Sequence, residues 1–165
     1  MARRTIHYLA AFVILGIYGG QVCPFLDSLT LLQLLGPTFV TMALFYLLQV
    51  VVFNKAIEKA ILKKQSTRVF QFDLVSFFLS GIIIMLFNTL YYSFPLESGL
   101  KIVFALFLMG FFAAIDLSLE KEWRLNRRLE SSGDWIEPDL RFFSHPKKLV
   151  LFSSACMLLT AGVMF

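Results

Sequence analysis

The stretch LKIVFALFLMGFFAAIDLSL, residues 100–119, decides the class of fold. Only two of its side chains are charged, Lys101 near its start and Asp116 near its end. A helix that crosses the hydrocarbon core of a bilayer, about 30 Å thick, needs about 20 largely apolar residues. The stretch therefore predicts a transmembrane helix.

The composition of the whole chain agrees with this prediction. Of its 165 residues, 58% are hydrophobic and 16% are charged, and the mean hydropathy is +0.76. An ordinary soluble domain has about 25% charged residues. The net charge of +4 comes from short basic runs between apolar blocks, which argues against disorder and against a nucleic-acid-binding surface. The sequence predicts an integral membrane protein.

Five apolar blocks are long enough to be spans, and they predict an all-α polytopic helical bundle in a single domain. The second block should kink near Gly36 and Pro37. Two polar segments, 54–71 and 120–148, separate the spans. The predicted spans are about 6–25, 29–53, 72–94, 100–119 and 149–165.

The amino-terminal block has two alternative interpretations. Arg3 and Arg4 followed by the apolar run Tyr8–Tyr18 resemble a signal peptide, but no small-x-small cleavage site follows. We interpret the block as a retained first span. Cys23 lies in a poor lipoprotein motif, and with Cys156 it offers neither a disulfide framework nor a metal site.

The distribution of basic residues predicts the orientation. Of the 15 lysines and arginines, 14 lie before span one, between spans two and three, or between spans four and five. The loops 23–28 and 93–99 have none. Short cytoplasmic loops retain Lys and Arg, so we expect a multi-pass protein of the bacterial inner membrane with a cytoplasmic amino terminus. The chain stops in apolar sequence at Phe165, and we expect a sixth span and a further domain. The alternative is a five-span protein.

Several polar residues within or beside the spans are candidate functional groups. Asp73 and Asp116 should lie near the cytoplasmic boundary, with Arg68 and Arg124 as their nearest cations. They are interpreted as interfacial anchors or, alternatively, as part of a proton or cation pathway in a transporter. Glu97 and Lys101 have the i, i+4 spacing of an ion pair at the outer end. Asn88 is interpreted as a hydrogen-bonding group between helices.

No cofactor, metal or catalytic motif is predicted. His7 and His145 could in principle ligate a haem, but isolated interfacial histidines are far commoner. The chain has no phosphate-binding glycine loop, HExxH or CxxC motif. Whether the protein is an enzyme is therefore open, and any activity is expected in a further domain or a partner.

The apolar pattern continues beyond the fourth span. Residues at near-3.5 spacing run through the membrane exit with no helix breaker. A helix that leaves the bilayer in this way can transmit piston or rotational motion. The positions are Leu108, Phe112, Ile115, Leu119, Glu122 or Trp123, Asn126 and Leu129.

A family resemblance rests on this region. The segments Phe94–Lys101 and Gly110–Glu120, with the charged exit 121–128, resemble the membrane region upstream of HAMP and class III adenylate cyclase domains in bacterial signalling proteins. The resemblance implies a membrane input module and lends no enzyme residues.

The sequence supports three hypotheses for function. The first is a sensory or anchoring region of a bacterial signalling protein, dimeric through spans one and four, where Gly16, Gly19 and Gly20 would allow close approach. The second is an accessory subunit of a larger membrane complex, and the third is the transporter with Asp73 and Asp116. The expected partners are the lipid bilayer and a second copy or other membrane subunits, without nucleic acid.

Overall fold

A computed structural model of the chain describes residues 2–22, 30–59, 62–132, 150, 153, 154 and 157. The secondary structure in these ranges is helical. The elements are α1 (Ala2–Val22), α2 (Leu31–Leu48), a π-helical turn (Gln49–Phe53), α3 (Asn54–Glu58), α4 (Leu62–Tyr92) and α5 (Leu96–Ser132).

The helices run alternately up and down. Phe12 of α1 packs edge-to-face on Phe39 of α2. Thr5, which lies about two turns before Phe12 on α1, contacts Tyr46, which lies about two turns after Phe39 on α2. The two helices are therefore antiparallel. Gln49 of the π-helical turn donates a hydrogen bond to Ser76 of α4. The next helix, α5, packs along α4. The amino terminus of α1 thus shares one end of the bundle with α3, the start of α4 and the end of α5.

The prediction of five spans is not supported. Among the described residues, three helical segments are long and apolar enough to cross a membrane: Leu35–Glu58, Lys64–Tyr92 and Leu96–Leu129. The predicted first span, 6–25, overlaps α1, which is not one of these three segments, and the end of that span lies outside the described residues. The predicted fifth span, 149–165, lies largely outside the described residues.

The second predicted span begins with a capping box. Thr30 and Gln33 exchange side-chain and backbone hydrogen bonds, which satisfy amide groups at the start of α2. Pro37 lies inside α2 without ending it. A π-helical turn follows at Gln49–Phe53, after which the helix continues to Glu58.

The helices α4 and α5 form a tightly packed hairpin. Its connection includes Ser93, whose φ of 55° lies in the left-handed region. A Cβ atom on Gly110 would lie 2.3 Å from Cβ of Phe77, and one on Gly81 would lie 3.0 Å from Cα of Val103. Only glycine allows the two backbones to approach so closely. The close approach predicted at Gly16 is made within the chain, against Leu35 of α2.

The buried apolar residues form two clusters along the bundle. The smaller one joins Ile57 of α3, Val69 of α4 and Leu117 of α5. Two of these residues belong to the predicted polar segment 54–71, so that segment is partly packed into the bundle. It is also largely helical, since α4 begins ten residues before the predicted span. The larger cluster comprises Tyr8, Ala11, Met42, Phe77, Ile84, Leu106 and Ala113.

Candidate functional site

A buried ion pair joins α1 to α4 at the end of the bundle where α1 begins. Nη2 of Arg4 lies 2.9 Å from Oδ2 of Asp73, whose side chain is 0% exposed, while that of Arg4 is 11% exposed. Nη1 of Arg4 also donates to Oδ1 of Asn54 at 2.8 Å. One guanidinium therefore links α1, α3 and α4.

This ion pair is energetically consequential because both groups are removed from solvent. Desolvation offsets much of the attraction in a buried pair, but removal of one partner leaves an uncompensated charge. Within the described residues, Oδ1 of Asp73 and Nε of Arg4 are buried without hydrogen-bond partners. The pair therefore holds α1 in one register on α4.

A second, more exposed set of contacts joins α1 to α5. Nε2 of His7 lies 2.9 Å from Oδ2 of Asp116, and Arg3 approaches Asp116 at 3.5 Å and Glu120 at 3.9 Å. The side chain of Asp116 is 44% exposed, so solvent screens its interactions. Together, the first two turns of α1 contact both α4 and α5.

We call the set Arg3, Arg4, His7, Asn54, Asp73 and Asp116 the polar clamp. The sequence placed Asp73 and Asp116 at the same end of the bundle, and in the structure both contact α1. It corrects their expected partners, because Arg68 donates to the carbonyl oxygen of Ala56 and Arg124 bonds Glu120. Arg68 and Arg124 are close in sequence to the two aspartates, whereas Arg3, Arg4 and His7 of α1 are distant in sequence and reach them through the packing of α1.

A layer of polar and aromatic groups lies one turn deeper. Gln49, which is fully buried, donates through Nε2 to Oγ of Ser76 at 2.7 Å. Tyr8 packs against the rings of Tyr46 and Phe77, with centroids 5.6 and 4.7 Å away. Gln49 opens the π-helical turn, a feature often found at functional sites. The layer fixes α1 and α2 against α4.

The remaining candidate polar residues do not join the polar clamp. Glu97 lies in the first turn of α5, where the helix dipole favours a carboxylate. It and Lys101 are exposed, and no salt bridge between them is found in the part of the chain described. Asn88 is buried in α4.

The predicted exit helix is present as the continuous helix α5, which runs unbroken to Ser132. Its most buried stripe, which includes Leu106, Gly110 and Leu117, packs toward the rest of the bundle. The predicted stripe lies partly on this buried surface, since Leu108 and Glu122 are buried. Ile115, Leu119 and Leu129 are partly buried, and Trp123 is 58% exposed and stacks under Arg127 at 4.9 Å.

The sequence patterns did not indicate Arg4, Asn54 or Ser76. One usable signal was the spacing of Asp73, Ser76 and Ser80, which places three polar side chains on one helical face. All three are buried, as a shared interhelical face requires. The other partners depend on tertiary packing and have no local signal.

The side chains of the site are suited to holding helices in position. In the described ranges, no group of three or more His, Cys, Asp and Glu side chains could hold a metal ion. His145 lies outside those ranges, and His7 contacts Asp116. What the polar clamp can do is hold α1 against α4 and α5 through charges.

Comparison with known proteins places the chain in a family. Residues 7–165 match MASE10, a family of membrane-associated sensory domains. The chain is 29% identical over 125 residues to a cyclic di-GMP phosphodiesterase of Vibrio cholerae serotype O1, an alignment that covers 76% of this chain. The chain spans only 24% of the length of that relative. No solved structure matches. With most of its length matched by the family, this chain belongs to the MASE10 membrane-associated sensory domains.

Proposed function

We propose that this chain is the membrane-embedded sensory region of a bacterial signalling protein, and that it passes its signal along α5 to a cytoplasmic output domain. The observation that carries the proposal is the length of α5. Its 37 residues make a helix about 55 Å long. That exceeds the ~30 Å hydrocarbon core by several turns, so one rigid element extends from the bundle into the aqueous phase.

The polar clamp supports the same proposal because it couples α1 to this helix. Arg4 and His7 are one turn apart on α1, and they contact Asp73 of α4 and Asp116 of α5. A shift of α1 along its axis would strain both contacts. Since packed helices switch between discrete arrangements, such a shift would favour a rotation or an axial displacement of α5.

The output is proposed to act on cyclic di-GMP. The relative from Vibrio cholerae is a cyclic di-GMP phosphodiesterase, and the aligned region is a minor part of it. The adenylate cyclase expected from sequence resemblance has no support in this comparison. We therefore replace cyclase output by synthesis or hydrolysis of cyclic di-GMP.

The proposal includes the membrane location and the orientation of the chain. The protein is placed in the inner membrane as a multi-pass protein, with the amino terminus and the polar clamp on the cytoplasmic side. Support comes from Arg3, Lys55, Arg68 and Arg124, which lie at one end of the bundle, since basic residues favour the cytoplasm. A second copy of the chain is the proposed partner.

The experiment measures cyclic di-GMP in bacteria that express the whole encoded protein, with Asp73→Asn as the test variant and Ser131→Ala as the control. We expect wild type to change the cyclic di-GMP level relative to empty vector, and Asp73→Asn to alter that change at equal membrane abundance. An unchanged level with wild type would refute the proposed output. A reporter fused after Lys64 that is active only when exported would refute the orientation.

A further inference from the structure

A cavity of about 480 Å³ opens at the clamp end of the bundle, between α3, the first turns of α4 and the last turns of α5. This volume is in the range of ordinary ligand sites. Its charged lining consists of Arg4, Lys121, Arg124, Arg128, Glu58 and Glu120. We call it the basic cavity.

The cations of the basic cavity are incompletely neutralised. Arg4 is paired with Asp73, and Arg124 lies 2.5 Å from Glu120. Lys121 and Arg128 also line the cavity, and no carboxylate in the described ranges lies within salt-bridge distance of either. Two positive charges therefore face the space without a counter-charge in direct contact.

The two cations are arranged to act together. Lys121 and Arg128 are seven residues apart on α5, with Arg124 between them, so all three lie along one face. This face turns toward α3 and the start of α4, where Gln65 adds an amide to the lining. Guanidinium and ammonium groups converging on one space are the donors that phosphate oxygens prefer.

The depth of the cavity also favours a phosphate. From Leu96, about 20 residues of α5 cross the ~30 Å hydrocarbon core, which brings the helix to about Asp116. The lining residues Leu117–Leu129 follow at the level of the lipid headgroups. Basic pockets between helices on the cytoplasmic side are suited to anionic headgroups.

We propose that the basic cavity binds the phosphate group of an anionic ligand, with Lys121 and Arg128 as its principal contacts. The phosphate belongs to a phospholipid headgroup or to a free soluble anion. Either source would bridge α5 to α3 and α4, next to the polar clamp. The site does not depend on the identity of the output domain.

The test compares two double variants that remove equal charge. Lys121→Gln with Arg128→Gln empties the cavity of its unpaired cations. Arg127→Gln with Lys101→Gln removes two exposed cations outside the cavity lining. The protein in uncharged detergent is titrated with short-chain phosphatidylglycerol and, separately, with inorganic phosphate, and the shift in thermal unfolding gives the affinity.

We expect each removed cavity cation to weaken binding about fivefold. The control double variant should bind as wild type does, and Lys121→Arg should retain binding because it keeps the charge. Saturable binding of phosphatidylglycerol but not of inorganic phosphate identifies a lipid headgroup, and saturable binding of inorganic phosphate alone identifies a free anion. Equal affinities in the two double variants, for both ligands, overturn the proposal.

Discussion

Arg4 and Asp73 lie 69 residues apart in the chain, yet their side chains meet at 2.9 Å inside the bundle. Asp73 is fully buried, and Arg4 also bonds Asn54. This pair contributes to the position of α1 on α4, together with the packing of Tyr8 against Phe77.

Removal of one member of the pair should destabilise the bundle strongly. Arg4→Met leaves the Asp73 carboxylate buried without its cation, and we expect a loss of about 3–5 kcal/mol in the free energy of unfolding. Denaturation in mixed detergent micelles, followed by circular dichroism, measures the loss. Asp73→Leu should cost a similar amount.

The combined variant separates a paired charge from a merely crowded position. Arg4→Met together with Asp73→Leu removes both charges, so it should be clearly more stable than Arg4→Met alone. Additive losses in the double variant would mean that the two side chains do not interact.

The contacts of Arg3 should be weaker and sensitive to salt. The side chains of Arg3 and Asp116 are 57% and 44% exposed, and exposed ion pairs contribute about 1 kcal/mol or less. Arg3→Ala should therefore cost about 1 kcal/mol or less at low ionic strength, and 1 M NaCl should remove most of that difference. The loss in Arg4→Met should persist in salt. Equal salt sensitivity of the two variants would argue against a buried Arg4.

The hairpin of α4 and α5 depends on the absence of a side chain at Gly110. Gly110→Ala places a methyl group 2.3 Å from Cβ of Phe77, and the resulting overpacking should cost about 1–3 kcal/mol. Gly36→Ala is the matched control, since no atom lies within 4 Å of its added Cβ. It should cost less than Gly110→Ala, because the helix propensity of Ala, about 1 kcal/mol better than that of Gly, offsets the steric cost of a Cβ before Pro37. Thermal unfolding of both variants in the same detergent decides the matter, and a stable Gly110→Ala would contradict the close approach.

Much of the helical architecture is predictable from apolar block length and charge. The spans at 72–94 and 100–119 were located correctly, and the continuation of the fourth span past Glu120 is confirmed. The block at 6–25 forms the helix α1, which is not among the three span-length apolar segments found in the described residues. The π-helical turn at Gln49 has no local composition signal.

The site was predictable only in part. The expected position of Asp73 and Asp116 at the membrane boundary indicated both residues. A helical pattern, however, identifies only partners three or four residues away. Arg4 and His7 reach them through the packing of α1, which depends on tertiary fit at Tyr8 and Phe77. Sequence therefore found the acceptors and missed the donors.

The central claim is that α5 carries the signal as one unbroken helix, and the sharpest measurement is cyclic di-GMP in cells expressing the whole protein with a proline in that helix. Arg127 is exposed and outside the basic cavity. Arg127→Pro interrupts α5 near its carboxyl end, whereas Arg127→Ala keeps it helical. At equal membrane abundance, we expect Arg127→Pro to shift the cyclic di-GMP level several-fold from wild type and to abolish any effect of Asp73→Asn. Arg127→Ala should behave as wild type. If Arg127→Pro and Arg127→Ala both give the wild-type level and the same response to Asp73→Asn, α5 does not transmit the signal.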